Sequence, residues 1–181
     1  MSAALACWCG HADLSPFGPD YFRCAACDTL VSRAVPDVRA SAADVGTDEA
    51  GVYGKEYWFE HQQRDGGKLP AITARARADL PERCVHWLRT LLAYKPPPAI
   101  VQEVGSAHGG FVALLSAAGY TAAGLELSPF IVEFARRTFG VPMLLGPVEQ
   151  QPIAPRSLDA VVMMDVLEHL PDPLGTMRHV A

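Results

Sequence analysis

The sequence has few charged residues and lacks a long run of charge of one sign. Charged residues make up 19% of its 181 positions, against about 25% in an ordinary soluble chain. The formal net charge is −5, and a basic stripe of the kind that binds nucleic acid nonspecifically is missing. We therefore expect a globular domain without a nucleic-acid partner.

The sequence also lacks the features of a membrane-bound or exported chain. Its most apolar stretch, residues 111–125, is interrupted by polar residues and glycines and is shorter than the ~18 residues of a spanning helix. The first ten residues carry no basic side chain, so they do not resemble a signal peptide. We expect a cytoplasmic protein that makes no membrane contact and keeps its cysteines reduced.

Four of the five cysteines lie near the start of the chain, in two close pairs separated by fourteen residues: Cys7, Cys9, Cys24 and Cys27. Two such pairs can supply four thiolates to one structural zinc ion, and a ribbon this short needs the metal for its stability. The alternatives are that the thiols are merely buried and reduced, or that His11 replaces one of the first pair. Cys84 stands alone in a helical pattern, which predicts a core position.

The first 98 residues divide into three parts. Residues 1–35 form the predicted zinc-ribbon-like module and residues 36–52, rich in small and polar residues, a linker. Residues 53–98 form a helical lead-in that opens with aromatic residues, which either pack onto the main domain or serve as a lid. Within it the stretch 72–94 is helical in character, and Pro81 either starts a second helix or kinks one long helix.

From residue 99 onward, apolar runs alternate with segments of helical periodicity. Strands are predicted at 99–104, 122–126, 143–145 and 158–164. Helices should follow the first two strands, the second of them capped by Ser128 with Pro129 behind it and closed by Gly140. The pattern predicts an α/β fold with a Rossmann-like, doubly wound parallel sheet of about four strands.

The loop at 103–110, EVGSAHGG, joins the first predicted strand to its helix. Ligands of open α/β sheets bind at such loops, and Glu126, 21 positions after Gly105, ends the neighbouring strand at the distance typical of a ribose-binding acid. Position 107 is alanine, where a dinucleotide site has the glycine that admits the pyrophosphate. The loop thus favours an adenosine cofactor without phosphates, such as S-adenosylmethionine.

Three motifs carry a family resemblance. EVGSAHGG and GLELS (124–128) resemble the first two motifs of class I S-adenosylmethionine-dependent methyltransferases, and LDAVVMMDVLEHLPDP (158–173) resembles their fourth-strand signature. The resemblance, to the type 11, 12 and 23 groups, covers about residues 53–181. The cysteine module looks like the zinc-binding extension of members that act on sugars or natural products.

The resemblance implies a cofactor site residue by residue. Glu103 would lie near the methionine amino group, Glu126 on the ribose hydroxyls, and Asp165 at the methionine end. Pro147 stands where the family often has an acid for adenine, which leaves the backbone of Val148 for that contact. The predicted cofactor contacts are Glu103, Gly105, Ser106, Ala107, Gly109, Glu126, Leu127, Val148 and Asp165.

The reaction implied is methyl transfer to a small-molecule acceptor: a sugar, a natural product or a related metabolite. An oxygen or nitrogen acceptor needs a base, for which His169, His108 and Asp165 are candidates, and His169 and Asp165 are the predicted catalytic residues. His169 could equally order its loop beside Glu168, and His108 could cap the following helix. Two other functions stay open, a nicotinamide-dependent Rossmann oxidoreductase and an inactive zinc-ribbon interaction protein.

The end of the sequence carries a further expectation. The resemblance implies a seven-stranded sheet in a complete domain of the family, yet only four strands are readable in this sequence. Residues 99–181 are therefore expected to form a partial S-adenosylmethionine-binding domain. We therefore expect a C-terminally truncated chain in which the strand at 160–164 forms an open edge.

Overall fold

The computed structural model describes residues 5–33, 72–170 and 172–181. The chain divides into two compact units, Met1–Asp37 and Val38–Ala181. The predicted linker at 36–52 and the aromatic residues that open the lead-in lie outside the described residues. The finer boundaries of the modules and the truncation of the chain stay predictions.

The first unit contains a small antiparallel sheet in the order β1-β2-β3. Its strands are β1 (Leu14–Phe17), β2 (Tyr21–Cys24) and β3 (Leu30–Ser32). Only Cys7 and Cys24 are buried among residues 5–33, so side-chain packing gives this unit very little core. The predicted ribbon with clustered cysteines is confirmed.

The second unit begins with a helix that has an irregular centre. It consists of α1 (Ile72–Asp79), a π-helical turn (Leu80–Cys84) and α2 (Val85–Tyr94). Pro81 lies in the π turn and has no N–H to donate, so the ladder of hydrogen bonds widens there, and the Val85 N–H donates to the Leu80 carbonyl. Of the two predicted alternatives, Pro81 therefore deforms one continuous helix.

The remaining chain forms the predicted α/β fold. Four parallel strands lie in the order β6-β5-β4-β7. Their bounds are β4 (Ile100–Val104), β5 (Thr121–Glu126), β6 (Met143–Leu145) and β7 (Ala160–Met163). The helices are α3 (Gly110–Ala117), α4 (Pro129–Phe139) and α5 (Pro173–Val180), with short 3-10 turns at Val148–Gln150 and Leu167–His169.

The ends of α4 follow the sequence signals. Ser128 accepts a hydrogen bond from the Ile131 N–H at 3.4 Å, Pro129 takes the first helical position, and Gly140 ends the helix in the left-handed conformation with φ of 66°. These residues satisfy backbone groups that a helix end leaves unpaired. The predicted cap and stop are confirmed.

Apolar side chains cover both faces of the sheet. In β7, Val162 belongs to the cluster that contains Phe111 and Leu115, while Val161 and Met163 pack in the cluster on the other face. The lead-in helix joins the first cluster, where the Trp87 and Phe111 rings meet edge to face at 5.5 Å.

Cys84 is 1% exposed in the same cluster, as predicted.

In the described part of the chain, no helix combines the length and hydropathy needed to cross a bilayer. The parallel order of the strands brings all their carboxyl ends to one edge of the sheet, where a site can form.

Candidate active site

A cavity of about 760 Å³ opens at the carboxyl ends of β4, β5 and β7. The loops that follow all four strands line it, together with one side of the lead-in helix and part of α5. Small-molecule and cofactor sites usually have this size and this position in α/β folds.

The loop after β4 approaches its neighbours too closely for any side chain at Gly105. Gly105 has φ of 70°, and a Cβ there would lie 2.4 Å from Cγ2 of Val166. Its N–H donates to the Leu125 carbonyl at 2.8 Å, and the buried Ser106 hydroxyl donates to the same carbonyl at 3.2 Å. The turn is therefore fixed against the end of β5, with open space on its cavity side.

Glu103, near the end of β4, has a carboxylate that the protein does not fully satisfy. The side chain is 3% exposed, lines the cavity, and its Oε2 has no hydrogen-bond partner. Burial, and secondarily the nearby Glu126 carboxylate, raise the pKa of Glu103 well above its ordinary value. A buried, unpartnered acid costs free energy unless a ligand satisfies it, and a cationic or hydrogen-bond-donating ligand suits it.

Glu126, the last residue of β5, is held by backbone N–H groups on both oxygens. Oε2 accepts from Ala107 at 3.0 Å, and Oε1 accepts from Leu127 at 2.8 Å and Ser128 at 3.3 Å. Burial raises the pKa of Glu126, and these three bonds partly oppose the shift. Because Oε2 has a single partner, it retains the capacity to accept a ligand hydroxyl.

Seven of the nine predicted cofactor contacts line this cavity, and two do not. The seven are Glu103, Gly105, Ser106, Ala107, Glu126, Leu127 and Asp165. Gly109 instead allows α3 to approach α4, since a Cβ there would lie 2.7 Å from that of Ala135. Val148 packs its side chain against Val104 and Leu125, so a contact through its backbone stays a prediction, whereas the adjacent Pro147 does line the cavity.

The two predicted catalytic residues also line the cavity. Asp165 has a left-handed backbone with φ of 55° and accepts a hydrogen bond from Arg83 at 3.0 Å. The His169 side chain is 53% exposed, with its Nε2 4.0 Å from a Glu168 carboxylate oxygen. Both side chains are placed to meet a ligand, and their roles stay predictions.

His108 holds the loop to its surroundings. Its Nδ1 accepts from the Gly110 N–H at 3.1 Å, so the neutral ring carries its proton on Nε2, which lies 2.9 Å from Asp79 Oδ2. Burial lowers the pKa of His108 despite the opposing effect of Asp79. The predicted helix cap at His108 is thereby confirmed.

Sequence reasoning missed the contribution of the lead-in helix to the cavity. Asp79, Arg83 and Trp87 line it beside the loops of the sheet. Arg83 Nη2 donates to Asp79 Oδ2 at 2.9 Å. A signal was available, because Asp79 and Arg83 are charged residues on either side of Pro81, within a helix that otherwise packs on the core.

The cysteine unit contains a second, separate candidate site. The four sulfur atoms of Cys7, Cys9, Cys24 and Cys27 lie within 4.8 Å of one another, and the Cys7–Cys27 and Cys9–Cys24 separations are 3.5 Å. Four thiolates at ~2.3 Å from one zinc ion stand about 3.8 Å apart.

His11 stays outside this set of sulfur atoms. Its Nδ1 lies 3.8 Å from the Cys9 sulfur, and the cluster already has four donors. A tetrahedral site is therefore complete without the imidazole.

Comparisons with known proteins agree with this architecture. A family model described as a methyltransferase domain matches residues 76–181, which is more than half of the chain. No curated protein matches the sequence.

Solved methyltransferase structures share the fold. A putative S-adenosyl-L-methionine-dependent methyltransferase of Methanococcus maripaludis is 14% identical, with a TM-score of 0.54 over 64% of this chain and 60% of that one. Magnesium protoporphyrin IX methyltransferase of Synechocystis PCC 6803 with bound SAM is 17% identical, with a TM-score of 0.53 over 83% of this chain and 73% of that one.

A third match is to a Haloferax volcanii complex of the Trm112 methyltransferase activator and a putative methyltransferase. The identity is 25% and the TM-score 0.49, over 59% of this chain and 50% of that one. The chain thus spans half to three quarters of the lengths of these three structures. Since the family model covers most of the second unit, the chain belongs to the methyltransferase-domain family.

Proposed function

We propose that the protein transfers a methyl group from S-adenosylmethionine to a small-molecule acceptor: a sugar, a natural product or a related metabolite. The observation that carries the proposal is the pair of buried carboxylates at adjacent strand ends, Glu103 with an unpartnered oxygen and Glu126 held by backbone N–H groups. Both face a cavity large enough for an adenosine cofactor and part of an acceptor. Membership of the methyltransferase-domain family supports it.

The chain's own residues fit such a cofactor. Glu126 would accept from the ribose hydroxyls, and Glu103 would receive the positively charged amino group that satisfies its free oxygen. The Gly105 turn leaves room for the ligand beside the sheet. Val148 would contact the adenine through its backbone. Asp165 would face the amino-acid part of the cofactor, and the zone around His169 then remains for the acceptor.

Bound S-adenosylmethionine supplies an activated methyl group on a sulfonium, so the protein need not create the leaving group. The residues around the cavity contribute orientation and exclusion of water. An oxygen or nitrogen acceptor also loses a proton, and His169, exposed at the cavity rim, is the residue we propose to receive it at an imidazole nitrogen. Asp165 would orient the ligand from its fixed position.

A nicotinamide-dependent oxidoreductase is less well supported. Ala107 has φ of 45° and donates its N–H to Glu126, so this part of the loop is engaged within the protein. Its methyl group lies where a pyrophosphate needs a glycine. The carboxylates of the site therefore suit a ligand that brings hydroxyl and amino groups better than a ligand that brings phosphates.

The test combines binding with turnover. Calorimetry should show binding of S-adenosylhomocysteine and much weaker binding of NAD. Label from methyl-tritiated S-adenosylmethionine should then pass to a member of a panel of sugars and phenolic natural products. Preferential binding of NAD would overturn the proposal, and tight binding of S-adenosylhomocysteine without transfer to any tested acceptor would favour the inactive interaction protein.

We further propose that Cys7, Cys9, Cys24 and Cys27 hold one structural zinc ion. The spacing of their sulfur atoms supports it, as does the burial of no other side chain among residues 5–33. Zinc binding requires reduced thiols, which is consistent with the cytoplasmic location that we also propose. Elemental analysis should give one zinc per chain, and cell fractionation tests the location.

A further inference from the structure

A chain of charged and polar side chains runs along the cavity wall from one loop to another. His108, in the loop after β4, contacts Asp79. Arg83 donates from Nη2 to Asp79 Oδ2 at 2.9 Å and from Nη1 to Asp165 Oδ2 at 3.0 Å. Arg83 therefore links the loop after β7 to the lead-in helix, and Asp79 links that helix to the loop after β4.

Three contacts hold the Arg83 side chain in place. Its guanidinium carbon lies 5.2 Å from the centre of the Trp87 ring, a cation–π contact, while its two terminal nitrogens bind two different carboxylates. Partial burial opposes its charge, but Asp79 and then Asp165 outweigh burial and raise the pKa of Arg83. A planar fork with two separated donors makes this bridge, whereas the single ammonium of lysine does not reproduce it.

Asp165 depends on this bridge for its orientation. Its backbone has φ of 55°, a left-handed conformation that residues with a Cβ adopt at a cost in free energy. Its side chain is 61% exposed, so packing alone leaves it several rotamers. The bond from Arg83 selects the one in which the carboxylate lies against the lead-in helix.

The order of the strands indicates which part of a ligand Asp165 would meet. Glu126 ends β5, Glu103 lies near the end of the adjacent β4, and Asp165 follows β7 on the far side of β4. If the ribose lies at Glu126, the chain attached to it extends past Glu103 towards Asp165. The amino-acid part of S-adenosylmethionine would therefore end between these two acids.

We propose that Arg83 is a positioning residue that holds the Asp165 carboxylate at the end of the cavity where the amino-acid part of the cofactor binds. The inference rests on the proposed function, since it presupposes this cofactor. The lead-in helix would thus take part in cofactor selection.

The test compares two ligands that differ only at that end. S-adenosylhomocysteine carries the amino-acid group, whereas methylthioadenosine has the same adenosine and sulfur without it. In calorimetry, Arg83→Gln and Arg83→Lys should each weaken S-adenosylhomocysteine binding about fivefold, a moderate loss because the pair is partly exposed. Neither should change the affinity for methylthioadenosine. Arg89→Gln, on the exposed side of the same helix, is the matched control and should change neither affinity.

The double variant Arg83→Gln/Asp165→Asn identifies the route of the effect. If Arg83 acts through Asp165, the double variant should bind S-adenosylhomocysteine no more weakly than Asp165→Asn alone. Fully additive losses would overturn the inference, as would equal losses for both ligands, which indicate a purely structural role. Should Arg83→Gln not fold, Arg83→Lys and Asp165→Asn provide the same comparison.

The experiment distinguishes a failure of the proposed function from a failure of the role of Arg83. If the unmodified chain binds neither ligand, there is no cofactor site and both claims are overturned. If it binds both ligands and the Arg83 variants keep the ratio of the two affinities, only the role of Arg83 is overturned.

Discussion

The cysteine unit and the α/β unit differ in what stabilises them. In residues 5–33 the buried side chains are two cysteines, while large apolar residues such as Phe17, Tyr21 and Leu30 are each more than 40% exposed. The α/β unit buries Phe111 and Leu115 almost completely between helix and sheet. With the proposed zinc ion, the first fold would depend on a metal, whereas the second depends on burial of apolar surface.

The two units also place their chemistry differently. In the proposed zinc site, the cysteine cluster would use all four sulfur atoms for one ion and leave no open coordination position. The α/β unit leaves a buried carboxylate oxygen unsatisfied within a cavity. A saturated site provides structure, and an unsatisfied one provides binding.

The largest effect should come from removing a thiolate. Cys24→Ser takes away a fully buried ligand, and since structural zinc contributes about 10 kcal/mol or more to the folding of small modules, the ribbon should unfold and the chain should lose its zinc. The α/β unit should keep its melting temperature. Elemental analysis measures the zinc, and two-dimensional NMR at increasing temperature follows the unfolding of each unit. His11→Ala is the control, and loss of zinc in it would contradict the four-cysteine site.

The converse experiment removes part of the apolar core. Leu115→Ala deletes a side chain that is 0% exposed, and should lower the free energy of unfolding of the α/β unit by about 2–5 kcal/mol. Zinc content should stay unchanged. Urea denaturation provides the measurement, with Leu92→Ala, 39% exposed on the lead-in helix, as the control that should change stability far less. Equal losses in the two variants would contradict the assigned core.

A smaller effect is expected from Glu103, and it should depend on pH. Burial first, and then the Glu126 carboxylate, raise the pKa of Glu103 in the folded state. Below the pKa that Glu103 has in the unfolded chain, its carboxyl group is neutral in both states and costs no stability. As the pH rises from there towards the folded-state pKa, the ligand-free protein loses stability. Glu103→Gln should therefore raise the melting temperature by several degrees at pH 8 and hardly at all at pH 4. An increase of equal size at both values would show that the charge is not responsible.

The smallest effect should come from the surface of the ribbon. The Arg23 guanidinium carbon lies 4.5 Å from the centre of the exposed Phe17 ring, a contact that contributes about 0.5 kcal/mol at such sites. Arg23→Gln should accordingly leave zinc binding intact and shift the thermal transition of the unit only slightly. Loss of the bound metal in this variant would indicate that side-chain contacts stabilise the ribbon as much as the metal does.

The strands, the caps of α4 and the glycine loop could be predicted because each depends on local chemistry. The ends of α4 are set by residues at those ends, Ser128, Pro129 and Gly140. The continuous apolar runs indicate strands that are buried on both faces of the sheet. The cysteine cluster was likewise predictable from the spacing of its residues alone.

What sequence could not provide is the partner of each residue across the fold. Arg83 and Asp165 are 82 positions apart, and no periodicity connects them. Gly109 shares the loop with Gly105 yet faces Ala135 instead of the cavity, since a glycine allows close approach on whichever side the backbone turns. Such roles depend on tertiary contacts.

The account depends most on the claim that Glu126 binds the cofactor, and one titration tests it directly. S-adenosylhomocysteine is titrated into the unmodified chain and into Glu126→Ala, with Glu133→Ala, an exposed acid of α4, as the control. We expect the Glu126 variant to lose about 1–3 kcal/mol of binding free energy, the magnitude of a buried hydrogen bond to a charged group, and the control to lose none. Unchanged affinity in Glu126→Ala, in a folded chain that binds the ligand, would contradict the account.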